Sequence, residues 1–219
     1  MTEKQEIQND WIKLNLEQVI GEDSLFKDGD WIESKDQDPD GDVRLIQLAD
    51  IGDGFFRNRS DRYLTHKKSV ELGCTFLEKG DLLIARMPDP LGRACLFPGD
   101  SKTCVTAVDV CIIRTKHVEH KWLMYAINSP EFRADVESLQ SGSTRKRISR
   151  KNLAKIVVPI PPRDEQISIV SKIEELFSQL DAGVAGLKRV QSVLQRYRAS
   201  VLKAAFEGRL VPQDPNDEP

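Results

Sequence analysis

The sequence predicts an α+β fold: a globular part built from short mixed strands and helices, followed by one long α-helix of the coiled-coil-forming kind. Three observations lead there. Short Val/Ile/Leu-rich runs bounded by Gly, Pro or Asp alternate irregularly with helical stretches, without the regular βαβ repeat of a doubly wound sheet. Pro161 and Pro162 are then followed by a proline-free run to Glu207 in which an apolar residue returns every three or four positions. Finally, 39% hydrophobic content over 219 residues suffices for one core with a helix to spare.

Taken in order, residues 1 to 9 read as loose, and Trp11 to Leu16 as a short opening segment. Leu16, Val19 and Ile20 suggest a brief helix stopped by Gly21, and Asp36 to Asp42 is a polar Asp/Pro/Gly loop. Strands are expected at Val43 to Leu48, Leu82 to Arg86, Ala94 to Phe97 and Val108 to Arg114. Helices are expected at His66 to Leu72, Glu119 to Asn128 and Pro130 to Leu139, the last with proline in a tolerant first turn. Ser149 to Leu153 adds one helical turn, and Lys155 to Ile160 is a strand leading to the prolines.

The final helix has a hard start. Proline cannot continue a preceding element, Asp164 can cap, and Glu165 and Gln166 suit the positive end of the helix dipole. Its stripe runs through Val170, Ile173, Phe177, Leu180, Val184, Leu187, Val190, Leu194, Tyr197 and Val201, closed by Ala205 with Gly208 as the stop. Steps alternating between three and four mark a coiled-coil seam. At 1.5 Å per residue the helix would reach roughly 66 Å, longer than a domain of this size is wide, so it needs a partner outside its own domain. Gly183 and Gly186 sit mid-span, each costing about 1 kcal/mol relative to Ala; close approach of a neighbour, a bend or simple tolerance would each account for them. Gln191 and Arg198 fall where a strict heptad places apolar residues.

Composition excludes several classes. No run of about 18 apolar residues and no basic-then-apolar leader is present, so neither membrane spanning nor export is expected. Cys74, Cys95, Cys104 and Cys111 form no CxxC pair and read as buried thiols of a reduced cytoplasm, a zinc site being the lesser reading. No cofactor is expected. A methyltransferase motif and a phosphate-binding GxxxxGK[ST] loop are both absent, and Asp50-Ile51-Gly52-Asp53-Gly54 reads as a turn.

Charge is segregated. Residues 1 to 42 carry 4 Lys/Arg against 13 Asp/Glu, whereas residues 43 to 163 carry 21 against 13. The positive charge clusters at Arg57, Arg59, Arg62, Lys67 and Lys68, and again at Arg145, Lys146, Arg147, Arg150 and Lys151. A polyanion partner is one reading, since each neutralised phosphate releases counterions; two solvated surface runs are the other.

At this point the residues resemble a known family. Ile156 to Gln166 (IVVPIPPRDEQ) and the Ile-Val, Ile-Glu, Leu-Phe, Asp progression through Asp181 are similar to the conserved region of type I restriction-modification DNA specificity subunits. Trp11-Ile12-Lys13-Leu14, Gly80 through Arg86, Ser141-Gly142-Ser143-Thr144 through Ile148, and Ala205 through Leu210 resemble further segments of that family in the same order. The resemblance implies a DNA target recognition domain over 1–160, a dimerisation and spacer helix over 161–210 and a polar tail over 211–219. The usual family member has two recognition domains and two long helices; this chain has one of each, as a half-length subunit or a fragment would. A homodimer reading an inverted-repeat, bipartite site in double-stranded DNA is therefore expected, with Ile173, Phe177, Leu180, Val184, Leu187, Leu194 and Val201 at its interface.

The resemblance also implies a DNA methyltransferase subunit and a restriction (translocase/endonuclease) subunit as partners, with Arg196, Arg198 and Lys203 as docking candidates, and a non-catalytic role in the cytoplasm. DNA contacts are expected from Arg57, Arg59, Arg62, Lys67, Lys68, Ser143, Thr144, Arg145, Lys146 and Arg147. Arg86 and Arg93, flanking the turn Met87 to Gly92, join them as side chains that the turn could present to a groove. Arginine suits this task because its fork can bond guanine O6 and N7 together. Two alternatives stand beside this reading. One is a magnesium-dependent endonuclease using Pro88-Asp89 with Glu119-His120-Lys121, whose spacing makes the side chains diverge. The other is a non-catalytic coiled-coil interaction module.

Overall fold

A computed structural model describes residues 11–88, 90–142 and 145–211. The chain divides into two compact units, the first ending at Val170 and the second beginning at Ser171. The predicted loose segment 1–9 lies outside the described residues.

The first unit is organised on a four-stranded antiparallel sheet in the order β2–β8–β5–β6, formed by β2 (Leu25–Asp28), β8 (Val110–Arg114), β5 (Leu82–Ala85) and β6 (Ala94–Leu96). Strand side chains alternate between faces, and here both faces are covered. Leu82, Ile84, Cys111 and Ile113 face a large cluster; Leu83, Ala85, Val110 and Ile112 face a second one. The large cluster includes residues of α1 (Leu16–Ile20), α3 (His120–Ile127), α4 (Pro130–Ser138) and α5 (Arg150–Ala154). That double burial is why these strands read as continuous apolar runs.

A three-stranded sheet, β4–β3–β7, combines β3 (Val43–Ile46) and β4 (Arg62–Leu64) antiparallel with β7 (Thr103–Thr106) parallel to β3. A two-stranded ribbon pairs β1 (Ile12–Asn15) with β9 (Val157–Ile160), placing Ile12 opposite Ile160. The remaining helix is α2 (His66–Glu71), capped by the Thr65 hydroxyl, which accepts from Lys68 N. The expected strands and helices are present with ends shifted by a residue or two. Four strands were not expected, β1, β2, β4 and β7, and each is a sheet edge. Edges carry polar residues such as Lys27, Arg62 and Thr103, which dilute the apolar signal.

Sequence punctuation works as steric chemistry at Gly21. It ends α1 at a φ of 83°, and a Cβ there would come within 2.6 Å of the His117 ring.

The long helix, α6 (Arg163–Phe206), is unbroken over 44 residues. Its first two turns are fastened into the first unit. Gln166 is buried, accepting from Glu119 N at 2.9 Å and donating to Pro161 O at 2.9 Å. Trp11 Nε1 donates to Glu165 at 3.1 Å, and Val170 joins the large cluster. Beyond Ser171 the seam residues Phe177, Leu180, Val184, Leu187 and Leu194 are exposed, Leu187 by 72%, while Ile173 and Val201 are half-buried. Among the described residues no helix is long and apolar enough to cross a membrane.

Gln166→Leu should keep the volume but leave Glu119 N without its acceptor. Urea unfolding monitored by circular dichroism is expected to register a loss of about 1–3 kcal/mol.

Candidate nucleic-acid interface

The first basic stretch divides over three elements. Arg57 and Arg59 lie on the loop between the 3-10 turn Leu48–Asp50 and β4, Arg62 on β4, and Lys67 and Lys68 on α2. The loop is built on Asp50, which is fully buried. Its carboxylate accepts from Gln47 N (2.8 Å), Arg59 N (2.6 Å), Ser60 N (2.8 Å) and the Ser60 hydroxyl. The Arg44 guanidinium stands 3.7 Å away and also pairs with Asp100 at 2.7 Å. A chain that fixes its backbone this way can hold Arg59, Arg62 and Lys67 in solvent, where all three are exposed. Lys68 is half-buried and paired with Glu71 at 2.9 Å, which lowers its value as a phosphate ligand.

The second stretch forms a tight loop closed by reciprocal backbone bonds between Ser141 and Arg147, both 2.8 Å. Gly142 serves close approach here. Its φ is 94°, and a Cβ would meet Arg145 O at 2.3 Å. Ser143 and Thr144 lie outside the described residues. Arg145 and Lys146 are exposed, and Arg147 pairs with Asp109 at 3.3 Å while its Nε is buried without a hydrogen-bond partner.

Arg145 and Arg147 border a cleft of about 670 Å³ that is also lined by the segment Asp30 to Ser34, Met87 and Asp109. Trp31 is 69% exposed there, its Nε1 donating to Glu33 at 3.2 Å. Guanidinium donors, carboxylate acceptors and one flat aromatic face therefore share a single recess. These are the groups that read base edges: arginine for guanine, carboxylate for the cytosine amine, indole for stacking. Sequence reasoning passed over Trp31, because an aromatic residue is read as core unless its burial is known.

Arg86 and Arg93 must be removed from the DNA-contacting set. Arg86 is 5% exposed, with Nε donating to Ile148 O (3.0 Å), Nη1 to Val108 O (3.1 Å), and an ion pair to Asp28 at 2.7 Å. Arg93 is 3% exposed and donates to the carbonyls of Ile51 (2.7 Å), Leu48 (2.8 Å), Met87 (3.1 Å) and Pro90 (3.0 Å). Both guanidiniums satisfy backbone that the sheets leave unpaired, so neither is presented to a groove. Arg150, from the second run, is likewise engaged, lying 5.5 Å from the Phe26 ring centroid.

Two residues of the endonuclease alternative serve structural contacts. Glu119 stands at the N-cap position of α3 without a side-chain capping bond, and its carboxylate lies 3.8 Å from Arg163, while the His120 ring nitrogens face the carbonyls of Gly80 and Thr115. Asp89 is outside the described residues. No group of three metal-ligating side chains occurs among the described residues. All four cysteines are free thiols; burial pushes Cys95 and Cys104 up to about 12, and Cys111 higher still.

Comparison with known proteins places this geometry. A family model described as the type I restriction modification DNA specificity domain matches residues 9–186. The type I restriction enzyme EcoBI specificity subunit of Escherichia coli is 25% identical over 210 residues, covering 95% of this chain and 41% of the relative. Among solved structures, a chain from work on the assembly and conformational transition of the type I R-M system superposes with a TM-score of 0.70 at 21% identity, covering 96% of this chain and 49% of that one. The HsdS subunit from Thermoanaerobacter tengcongensis gives 0.62 at 23% identity, covering 95% and 48%. The chain spans less than half the length of each of these proteins, and the solved structures share its fold.

Buried and exposed arginines should separate cleanly on substitution. Arg86→Ala and Arg93→Ala are each expected to cost about 3 kcal/mol or more in urea unfolding, because buried acceptors lose their donor. Arg145→Ala should leave thermal unfolding unchanged and lower the slope of log affinity against log salt by about one in DNA titrations. The buried thiols should resist Ellman's reagent at pH 8 until denaturant is added, as followed by absorbance.

Proposed function

The chain belongs to the type I restriction-modification DNA specificity family, and from that premise we propose that it recognises a specific sequence in double-stranded DNA for a modification and restriction complex. Residues 1–160 act as the target recognition domain, 161–210 as a dimerisation and spacer helix, and 211–219 as a polar tail. The chain supplies recognition and leaves methyl transfer and cleavage to a methyltransferase subunit and a restriction subunit. Arg145 and Lys146, with Arg147 at the cleft edge, supply one set of DNA contacts, and Arg57, Arg59, Arg62 and Lys67 another.

The observation that carries the assembly is the exposed seam of α6. Leu180, Val184, Leu187, Val190 and Leu194 recur at steps of three or four and are open to water, a state that a second helix would relieve. We read that helix as the one from a second copy. Two copies packed antiparallel about a two-fold axis would carry two recognition domains to an inverted-repeat, bipartite site, with the helix setting the spacer. Arg196 and Arg198, exposed on the same helix, and Lys203 are the docking candidates for the methyltransferase subunit.

Selection from a random DNA pool with the methyltransferase subunit added is expected to return one site, preferred over bulk DNA by roughly 4 kcal/mol or more. Uniform binding to all sequences would favour the interaction-module alternative instead. In light scattering the chain should be a dimer at micromolar concentration, and Leu180→Asp with Leu187→Asp should return it to monomer. A Cβ at Gly183 or Gly186 meets nothing within 4 Å in the single chain, so each Ala replacement should stabilise the isolated helix by about 1 kcal/mol. Weaker dimerisation of the same variants would show that the companion helix approaches closely at those positions.

A further inference from the structure

We propose that the turn Gly52 to Arg59 is a rigid wedge that inserts the Phe55 ring at a base step of duplex DNA, while Arg57 and Arg59 hold the flanking phosphates. The inference rests on the DNA-recognition reading above and adds the contact that deforms the duplex.

The turn is tethered at nearly every residue. Gly52 N donates to Phe55 O at 2.9 Å, Gly54 N to Ala94 O at 2.9 Å, and Arg57 N to Asp50 O at 2.7 Å. Asp53 is held by Arg133 at 2.7 Å, and the Asp50 carboxylate holds Arg59 N. From beneath, the buried Arg93 guanidinium binds the carbonyls of Leu48 and Ile51. Such anchoring leaves the turn little freedom to fold its own apolar side chains away.

Two phenylalanines stand side by side in it and meet different fates. Phe56 packs edge-on against Phe97, with ring centroids 5.7 Å apart. That contact fixes the register, and Phe55 remains 58% exposed. The Arg57 guanidinium lies 5.8 Å from the Phe55 ring centroid, close enough for a cation–π contact that orders both side chains. Asn58 follows at a φ of 53°, the left-handed conformation that turns the chain back toward β4.

Charge selects the partner. Asp50 is buried and Asp53 is paired, so the cations Arg57 and Arg59 set the field at the tip. A phenyl ring has no donor or acceptor with which to read a base edge, so its contribution to a nucleic-acid contact is stacking. Apolar wedges flanked by arginine and asparagine are the means by which proteins unstack and kink a duplex.

The test uses the 219-residue chain with the methyltransferase subunit added, and fluorescence anisotropy with two duplexes of one sequence, one fully paired and one carrying a single mismatch. The wild type should bind the mismatched duplex several-fold more tightly, since its unstacking is partly done in advance. Phe55→Ala should lose about tenfold in affinity together with that preference, at an unchanged salt slope. Phe55→Leu should fall between. Arg57→Ala and Arg59→Ala should keep the preference and lower the slope by about one each. Phe55→Trp should show indole quenching on DNA addition. An unchanged melting temperature for Phe55→Ala separates these effects from misfolding. Phe55→Ala binding both duplexes like the wild type would overturn the wedge and leave DNA recognition standing. Loss of methyltransferase-subunit binding in that variant, with DNA binding intact, would overturn it in favour of a protein contact. A wild type that binds no duplex would sink the DNA reading and the wedge with it.

Discussion

One buried carboxylate holds the loop that carries Arg57 and Arg59 in shape. Asp50 sits out of water with its acceptors taken by three backbone amides and a hydroxyl, and with Arg44 at its side. A carboxylate in that setting persists only where donors converge on it, so the loop conformation and the ion stabilise each other. The same logic recurs at Arg93 and Arg86, whose guanidiniums gather carbonyl oxygens that no strand partner reaches. Charge is thus divided by depth: some ions organise backbone inside, and others are held ready at the surface. A surface ordered before binding gives up less freedom when a ligand arrives.

How much of this was legible in the sequence follows from where each element sits. The central strands announced themselves because the sheet is covered on both sides, so Leu82 through Ala85 had no polar position to interrupt them. The edges β2, β4 and β7 did not, since polar residues such as Lys27, Arg62 and Thr103 interrupt their apolar runs. The long helix was plain from its prolines and its three-four spacing, both local properties. The split among the arginines was invisible, because Arg86 and Arg145 are the same residue and differ only in which distant carbonyls converge on them. Trp31 and Phe55 were overlooked for the converse reason: aromatic residues are read as interior, and only tertiary contacts tell which ones the fold leaves outside.

The helix belongs to two environments. Through Gln166 and Val170 its first turns are part of the head's core, where an amide and an isopropyl group serve packing and backbone satisfaction. Past Ser171 the same continuous helix carries an apolar stripe with mostly polar residues between its members, so its stability depends on what lies alongside it rather than on propensity alone. The chain spans less than half the length of the relatives it matches.

The β1–β9 ribbon has a consequence for how such heads diversify. Because Ile12 lies across from Ile160, the polypeptide arrives and departs through a single four-rung doorway, and everything between is a closed excursion. Recombination or grafting that preserves those rungs can exchange the excursion for a foreign one, provided the newcomer keeps a seat for Gln166 and Val170 on the departing helix. The excursion can then be replaced as a cassette.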